Sequence, residues 1–146
     1  MSVIDHEYFM RQALKQAQIA YQNDEVPVGA IILFQDKIIA KAHNLCEQLS
    51  NFTAHAEMLA LNSASNFLQS KYLDKCSLYV TLEPCIMCAG AAFWTRIGTI
   101  IYGARDEKRG FLKNPQQIIH PNTKIIGPVL ENECGSRLKE FFINKR

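Results

Sequence analysis

Long apolar runs are missing from this chain of 146 residues. No stretch of 18 apolar residues occurs, so the sequence predicts no membrane-spanning helix. The segment Met1–Glu7 has no basic region followed by an apolar one, and we therefore expect no secretory signal peptide. A strong charge of either sign is also missing. The formal net charge is +2, which is compatible with a nucleic-acid partner but does not require one.

Cysteine is scarce and mostly dispersed. Five cysteines occur, and only Cys85 and Cys88 lie close together in the sequence. An odd, scattered set argues against a disulfide framework and favours the reducing environment of the cytoplasm. Repeats, linkers and low-complexity tracts are absent as well, so the length predicts a single domain over residues 1–146. With 48% hydrophobic residues, such a domain is able to bury a full core.

The spacing of apolar residues predicts an alternation of helices and strands. Asp5 caps a first helix that runs to about Tyr21, and Gln35-Asp36 is the turn of a hairpin. Strands joined through a helix are expected to pair in parallel and hairpin strands antiparallel, which predicts a mixed sheet covered by helices. The other predicted elements are strands 30–34, 37–42, 78–82, 99–103 and one near 125, and helices 55–67, 84–94 and 132–143.

One segment, TLEPCIMC at 81–88, carries most of the chemistry. Cysteines three positions apart lie on one helical face and direct their sulfur atoms at the same ion, and His55 supplies a third ligand. Three protein ligands leave zinc one open position, which is typical of a catalytic site. The alternatives are an inert buried pair or half of a four-cysteine structural site. A four-cysteine site needs a second C-x-x-C, which Cys46, Cys76 and Cys134 do not form.

Glu57 follows His55 by two positions. Inside one helix the two side chains would point about 200° apart, so one of them must lie at or before the helix start if both face the metal. Thr53 is the predicted cap, which places His55 in the first turn. A glutamate here is positioned to move protons beside the open coordination site. A lone first-turn glutamate has a simpler explanation, since it complements the helix dipole.

The H-x-E and P-C-x-x-C pair is typical of zinc deaminases, and longer segments narrow the choice. Over roughly residues 5–142 the sequence resembles the bacterial tRNA-specific adenosine deaminases, a branch of the cytidine deaminase family. The resemblance implies a three-layer α/β/α fold of the cytidine deaminase type, with a mixed five-stranded sheet. The segments that carry it include VPVGA (26–30), TAHAE (53–57), LYVTLEPC (78–85), MCAGA (87–91) and YGARD (102–106).

By resemblance, the chain hydrolyses adenosine to inosine at the wobble position of a tRNA anticodon. His55, Cys85 and Cys88 hold one Zn²⁺ per chain, the metal activates a water molecule, and Glu57 transfers the protons. The resemblance also implies a homodimer in the cytoplasm. Two alternatives stay open: a guanine or other free-nucleobase deaminase, which shares all of these residues, and a zinc-stabilised RNA-binding module without catalysis.

The resemblance further implies a set of substrate contacts. Asn44 contacts the purine, the backbone around Val28 and Ala56 lines the pocket, and the main chain of Glu83 lies near the leaving amine. Asp106 meets the nucleotide sugar and backbone beside the extruded base. From the residues alone, Asn44 has the simpler interpretation of a turn residue that satisfies its own backbone, and Asp106 that of a solvated loop acid.

The segment 107–115 departs from many members of the family, which have small residues here. Together with the residues before it, the segment provides a basic cluster of Arg105, Lys108, Arg109 and Lys113. Since the cluster follows a strand, we expect it near the mouth of the zinc pocket and in contact with RNA phosphates. Phe111 is a candidate for stacking on a base, and a core or dimer position is the alternative.

Overall fold

The computed structural model describes residues 5–113 and 118–145. A five-stranded sheet of order β2-β1-β3-β4-β5 forms the centre; β1 pairs antiparallel with β2 and β3, and the other two pairs are parallel. In this part of the chain, no helix has the length and apolar character needed to cross a membrane. The elements are α1 (His6–Gln22), β1 (Gly29–Phe34), β2 (Lys37–His43), α2 (Ala56–Leu68), β3 (Cys76–Leu82), α3 (Ile86–Thr95), β4 (Thr99–Ala104), a 3₁₀ turn (Phe111–Lys113), β5 (Lys124–Ile126) and α4 (Glu131–Asn144).

The β1–β2 hairpin turns at the predicted residues. Gln35 and Asp36 both have positive φ angles, of 52° and 63°, as the two central residues of a type I′ turn require. Such a turn matches the right-handed twist of the flanking strands, which is why two residues are enough to reverse the chain. Each strand is one residue longer than predicted, since β1 begins at Gly29 and β2 ends at His43.

Helices cover both faces of the sheet. Along β1, Ala30 and Ile32 belong to a core shared with α2 and α3, while Ile31 and Leu33 belong to a second core shared with α1 and α4. Successive residues of a strand point to opposite faces, and β1 is buried on both because it lies inside the sheet. The two cores make three layers, so the prediction of an α/β fold with a mixed five-stranded sheet is confirmed.

The first helix packs close to β1 through small residues. Asp5 caps it as predicted, accepting a hydrogen bond from the Tyr8 N–H at 3.0 Å. Ala13 and Ala17 are fully buried, and a Cβ at Gly29 would overlap the Ala13 carbonyl oxygen. Glycine at the start of β1 therefore permits the contact and fixes where the connection 23–28 enters the sheet.

Three connections meet at one edge of the sheet. β2 and β3 both run antiparallel to β1, and β4 is parallel to β3, so β2, β3 and β4 all end at the same edge. The segments that follow these strands are the 44–55 loop, the link 83–85 and the 105–113 loop. Val28 lies at this edge too, because it directly precedes β1. The topology therefore brings all of the predicted site residues to one end of the sheet.

Candidate active site

The start of α2 places His55 and Glu57 on the same side of the helix. His55 immediately precedes α2, with an extended backbone of φ −71° and ψ 151°, and Glu57 lies in the first turn. The helical geometry thus begins between the two residues, as the sequence required. The predictions of Thr53 as the cap and of His55 in the first turn were wrong. The N–H and the hydroxyl of Thr53 both donate to Asn51 Oδ1, at 2.9 and 2.8 Å, so Thr53 belongs to the preceding turn.

The cysteines lie in the same way at the start of α3. Cys85 immediately precedes the helix and Cys88 lies in its first turn. The predicted helix began at Pro84, but the structure begins it one residue after Cys85. Pairing with the 105–113 loop explains the difference: Cys85 forms a β-bridge with Gly110, and the Pro84 carbonyl accepts a hydrogen bond from the Phe111 N–H at 3.0 Å. This pairing holds the link 83–85 extended.

Three ligand-bearing side chains converge at these two helix starts. His55 Nδ1 lies 3.7 Å from Cys85 Sγ and 3.4 Å from Cys88 Sγ, and the three atoms lie within 4.8 Å of one another. Around tetrahedral zinc, with bonds of about 2.1 Å to nitrogen and 2.3 Å to sulfur, these ligands are about 3.6 Å apart. The spacing therefore fits zinc. Within residues 5–113 and 118–145, no other group of three such side chains comes this close.

Hydrogen bonds within this cluster favour a thiolate. The bond from the Cys88 thiol, assisted by His55, lowers the pKa of Cys85 to about 4. The same bond raises the pKa of Cys88, and the bond with Cys85 raises the pKa of His55. Zinc requires both sulfurs as thiolates and the imidazole in its neutral form. Protons held among the three side chains therefore leave when the metal binds.

Glu57 lies beside the cluster, and its side chain is 4% exposed. Burial raises the pKa of its carboxyl to about 7, and the side chain also hydrogen-bonds Cys88. A carboxyl with a pKa near neutral both accepts and returns a proton at neutral pH. A glutamate that only complemented the helix dipole would stay in solvent, because desolvating a carboxylate is costly. The helix-dipole explanation therefore does not account for this position.

Asn44 connects two sides of the site. Its Oδ1 accepts a hydrogen bond from the Ala56 N–H at 2.7 Å, and its own N–H donates to the Val28 carbonyl at 3.2 Å. Ala56 lies between His55 and Glu57, so this amide oxygen fixes the backbone that carries both side chains. Asn44 is thus more than a residue that satisfies its own turn, since the bond to Ala56 spans twelve positions. Its contact with the purine stays a prediction.

The side chain of Glu83 organises the 105–113 loop. It is 4% exposed and accepts hydrogen bonds from the N–H groups of Asp106, at 3.1 Å, and Leu112, at 2.9 Å. Asp106 in turn accepts bonds from the N–H groups of Lys108 and Arg109, at 3.2 and 3.0 Å. Both acids therefore shape the loop. Their predicted contacts with the substrate remain predictions.

The 105–113 loop places the basic cluster beside the cysteines, as expected, because Gly110 pairs with Cys85. Phe111 is fully buried in the core shared with α2 and α3. Phe111 is therefore not available to stack on a base, and of the two interpretations the core position is confirmed. A surface cavity of about 450 Å³ opens on this loop and is lined by Glu83, Arg105, Asp106, Glu107, Leu112 and Lys113.

One buried acid, Glu25, was missed by the sequence analysis. Its side chain is 1% exposed and accepts hydrogen bonds from the N–H groups of Glu47 and Gln48, at 3.0 and 2.8 Å. The only signal in the sequence is a glutamate directly before the apolar Val26-Pro27-Val28 run, where a carboxylate needs a buried partner. That signal does not identify the partner, which lies 22 and 23 positions away.

Known proteins are similar to this chain in sequence and in fold. Residues 4–146 match the family of MafB19-like deaminases. A tRNA-specific adenosine deaminase of Bacillus subtilis is 41% identical over 141 residues, which cover 93% of this chain and 88% of the relative. One of Aquifex aeolicus is 54% identical over 104 residues, which cover 71% of this chain and 69% of the relative.

A solved structure extends the similarity to three dimensions. It comes from a study of A-to-I editing by tRNA:A34 deaminases at the wobble position of transfer RNA, and it is 36% identical to this chain. The TM-score is 0.80, and the match covers 90% of this chain and 99% of the other. The resemblance found in the sequence is thereby confirmed. The chain belongs to the deaminase family, in the group of the tRNA-specific adenosine deaminases.

Proposed function

We propose that this protein is a zinc-dependent hydrolase that converts adenosine to inosine at the wobble position of a tRNA anticodon. The observation that carries the proposal is the convergence of His55, Cys85 and Cys88 beside the buried carboxyl of Glu57. Three ligands leave one coordination position open, and a structural zinc site has no use for a buried proton-transfer group next to that position. The RNA-binding module without catalysis is therefore the weaker interpretation.

The chemistry divides between the metal and Glu57. Zinc, when bound by the three ligands, supplies an activated water molecule at its open position. A carboxylate oxygen of Glu57 takes up a proton and delivers protons to the ring nitrogen and to the departing amine. Water and adenosine thus give inosine and ammonia, with no change of oxidation state. Burial of Glu57 suits both directions of transfer, because it brings the pKa of the carboxyl to about 7.

Backbone and side-chain groups at the same edge of the sheet bind the base. Asn44 holds the purine through its side-chain amide, and none of its hydrogen bonds within the described residues uses Nδ2. The backbone at Val28 and Ala56 forms the walls, and the main chain of Glu83 faces the leaving amine. Asp106 contacts the sugar from the 105–113 loop. Two hydrogen bonds support the Asn44 part of this arrangement, since they join Asn44 to Ala56, at 2.7 Å, and to Val28, at 3.2 Å.

The basic cluster supports an RNA substrate rather than a free base. Its four cations lie on one loop that pairs with Cys85 through Gly110. A free nucleobase carries no phosphate, so a guanine deaminase has no use for such a loop at the mouth of its pocket. Anticodon loops also offer unstacked bases, whose extrusion into a pocket costs little. The names of the relatives favour the same substrate.

A homodimer in the cytoplasm completes the proposal. Large apolar side chains on α2 and α3 are exposed: Phe67 by 65%, Ile86 by 58% and Trp94 by 76%. Ile86 lies between the two cysteines, so a second copy seated on this surface borders the metal cluster. Exposed apolar surface of this kind is typical of protein interfaces. Sedimentation analysis tests the point, since Trp94→Glu is expected to shift a dimer of the parent chain towards monomer.

Inosine formation in tRNA tests the proposed function. The purified zinc-loaded protein is incubated with total tRNA, and the tRNA is then sequenced for inosine. We expect inosine at the wobble position of one or a few tRNAs with the parent protein and none with Glu57→Gln. Release of ammonia from free guanine, with no inosine in any tRNA, would establish the free-base alternative instead.

A further inference from the structure

Glu25 is a buried acid whose hydrogen-bond acceptors serve only backbone N–H groups of the described residues. Its two carboxylate oxygens accept one hydrogen bond each, from the N–H groups of Glu47 and Gln48. No lysine, arginine or histidine within the described residues lies within 4.0 Å of this carboxylate. A carboxylate is expensive to bury, and it stays buried only when its oxygens are satisfied. Glu25 therefore fixes the 44–55 loop through these two hydrogen bonds.

Glu25 is itself anchored outside the loop. Its N–H donates to the carbonyl of Ala20 near the end of α1, at 2.9 Å, and three residues later the Val28 carbonyl accepts the Asn44 N–H. The connection 23–28 is therefore hydrogen-bonded to the 44–55 loop at two places. One is a main-chain bond at the beginning of the loop, and the other is the Glu25 carboxylate in its middle.

The held part of the loop is a helical turn that lacks a cap of its own. The Leu49 N–H donates to the Leu45 carbonyl at 2.9 Å, which is the spacing of an α-helix. N–H groups in the first turn of a helix have no partner inside it. Glu25 supplies acceptors for two of them, at positions 47 and 48, from a distant part of the chain. Without this carboxylate, the turn has no acceptor for those two donors.

The held turn leads directly to the reaction site. The Leu45 N–H donates to the Ala54 carbonyl at 3.0 Å, and the Asn44 amide accepts from the Ala56 N–H at 2.7 Å. These bonds close the base of the loop, immediately before Glu57. The position of the Asn44 side chain, and of the start of α2, therefore depends on the conformation of the loop that Glu25 fixes.

We propose that Glu25 is a positioning residue: it holds the 44–55 loop in the conformation in which Asn44 meets the purine. The inference rests on the proposed function, because Asn44 is the residue through which Glu25 acts. Glu25 touches neither the substrate nor the metal. Its removal is therefore expected to weaken substrate binding more than it slows the proton transfers of Glu57.

Glu25→Gln tests the proposal in the zinc-loaded protein with an anticodon stem-loop RNA. The glutamine keeps the size of the side chain but turns an amide N–H₂ towards one of the two N–H donors. We expect KM to rise about tenfold, with a smaller fall in kcat and full zinc content, as when an interaction worth about 1.4 kcal/mol is removed. The matched control is Glu47→Gln, which removes an exposed charge from the same loop. Its KM is expected to stay at the parent value.

A double variant shows whether Glu25 acts through Asn44. If it does, Glu25→Gln combined with Asn44→Ala has a KM no higher than that of Asn44→Ala alone. If the KM increase of the double variant equals the product of the two single increases, Glu25 does not act through Asn44. If the KM of Glu25→Gln equals that of Glu47→Gln, the whole proposal is overturned. Should Glu25→Gln fail to fold, Glu25→Asp replaces it. The shorter side chain keeps the charge but loses reach, and the same comparisons apply.

Amide hydrogen exchange gives a readout that does not depend on activity. In Glu25→Gln we expect faster exchange of the Gln48 and Ala56 amides than in Glu47→Gln, because both the cap and the base of the loop loosen. Unchanged exchange at Ala56 contradicts the proposal. A parent protein that edits no RNA removes the proposed function, while this exchange measurement still decides whether Glu25 controls the loop.

Discussion

The two loops that border the metal cluster are held in the same way, but one exposes apolar side chains and the other basic ones. In each, a buried glutamate from another segment accepts two backbone N–H groups: Glu25 holds the 44–55 loop and Glu83 holds the 105–113 loop. The 44–55 loop exposes the apolar side chains of Leu49 and Phe52, whereas the 105–113 loop carries the basic cluster. Both loops are thus held by the same kind of contact, between a buried carboxylate and two backbone N–H groups.

The difference assigns separate tasks to the loops. The 44–55 loop begins with Asn44 and ends at His55, so it carries the residues proposed to contact the base and to bind the metal. The 105–113 loop contributes no ligand and buries its one aromatic residue, Phe111. What it offers to a substrate is positive charge. We therefore expect changes at the 44–55 loop to affect binding of the base, metal content or proton transfer, and changes in the 105–113 loop to weaken RNA binding selectively.

The largest effect is expected at the centre that both loops border. Cys88→Ala removes one of three ligands, so the protein should lose its zinc and all measurable deamination. Cys76→Ala and Cys134→Ala are matched controls, since these buried cysteines lie outside the cluster, and both should keep one zinc per chain. Metal analysis of the purified variants decides the matter. Full zinc occupancy in Cys88→Ala would contradict the ligand assignment.

Glu57→Gln separates proton transfer from structure on the side of the 44–55 loop. The amide keeps the size of the side chain but shuttles no proton, so kcat should fall by at least about 10²-fold. Zinc content and RNA affinity should match those of the parent protein. Kinetics with an anticodon stem-loop measure the rate of deamination, and a filter-binding assay measures the RNA affinity. A kcat near the parent value would remove Glu57 from the mechanism.

Glu83→Gln should loosen the 105–113 loop. The glutamine lacks one of the two acceptors, which leaves a buried N–H without a partner and lowers the free energy of unfolding by about 1–3 kcal/mol. KM for RNA should rise and depend less on salt, because the basic cluster loses its fixed position. Glu107→Gln removes an exposed charge from the same loop and is the control. If KM for RNA depends on salt in Glu83→Gln as it does in the parent protein, Glu83 does not position the basic cluster.

Charge reversal at single members of the basic cluster should give the smallest effects. Arg109→Glu and Lys113→Glu should each raise KM for RNA severalfold and leave zinc content unchanged. For every RNA phosphate that the variant no longer neutralises, the slope of log affinity against log salt should become shallower by about 0.7. Lys15→Glu, a change on α1, controls for net charge. If Lys15→Glu raises KM for RNA as much as Arg109→Glu and Lys113→Glu do, the basic cluster does not bind the RNA specifically.

The sequence predicted the parts of the molecule that depend on local spacing. The hairpin turn at Gln35-Asp36 follows from turn chemistry and is confirmed. Also confirmed is the requirement, from the helical period, that one of His55 and Glu57 lies at or before the start of α2. Thr53 and Pro84 were misassigned at helix ends, where one neighbouring acceptor or one backbone pairing moves the boundary by a residue or two. Local patterns carry no information on such competition.

Long-range partners account for what the sequence did not show. The bonds of Glu25 reach 22 and 23 positions along the chain, and those of Glu83 reach 23 and 29. Phe111 is drawn into the core because its loop pairs with Pro84 and Cys85. In each case the topology of the sheet brings distant segments together, and composition or periodicity around the residue gives no sign of it.

Ammonia release from two substrates, compared at two salt concentrations, decides whether this enzyme acts on tRNA or on a free base. The zinc-loaded protein is given either an anticodon stem-loop with adenosine at the wobble position or free guanine. We expect ammonia and inosine from the RNA, with kcat/KM falling steeply as salt rises, and no ammonia from guanine. Rapid deamination of guanine without salt dependence, with no deamination of the RNA, would contradict the proposed function and make the protein a free-base deaminase.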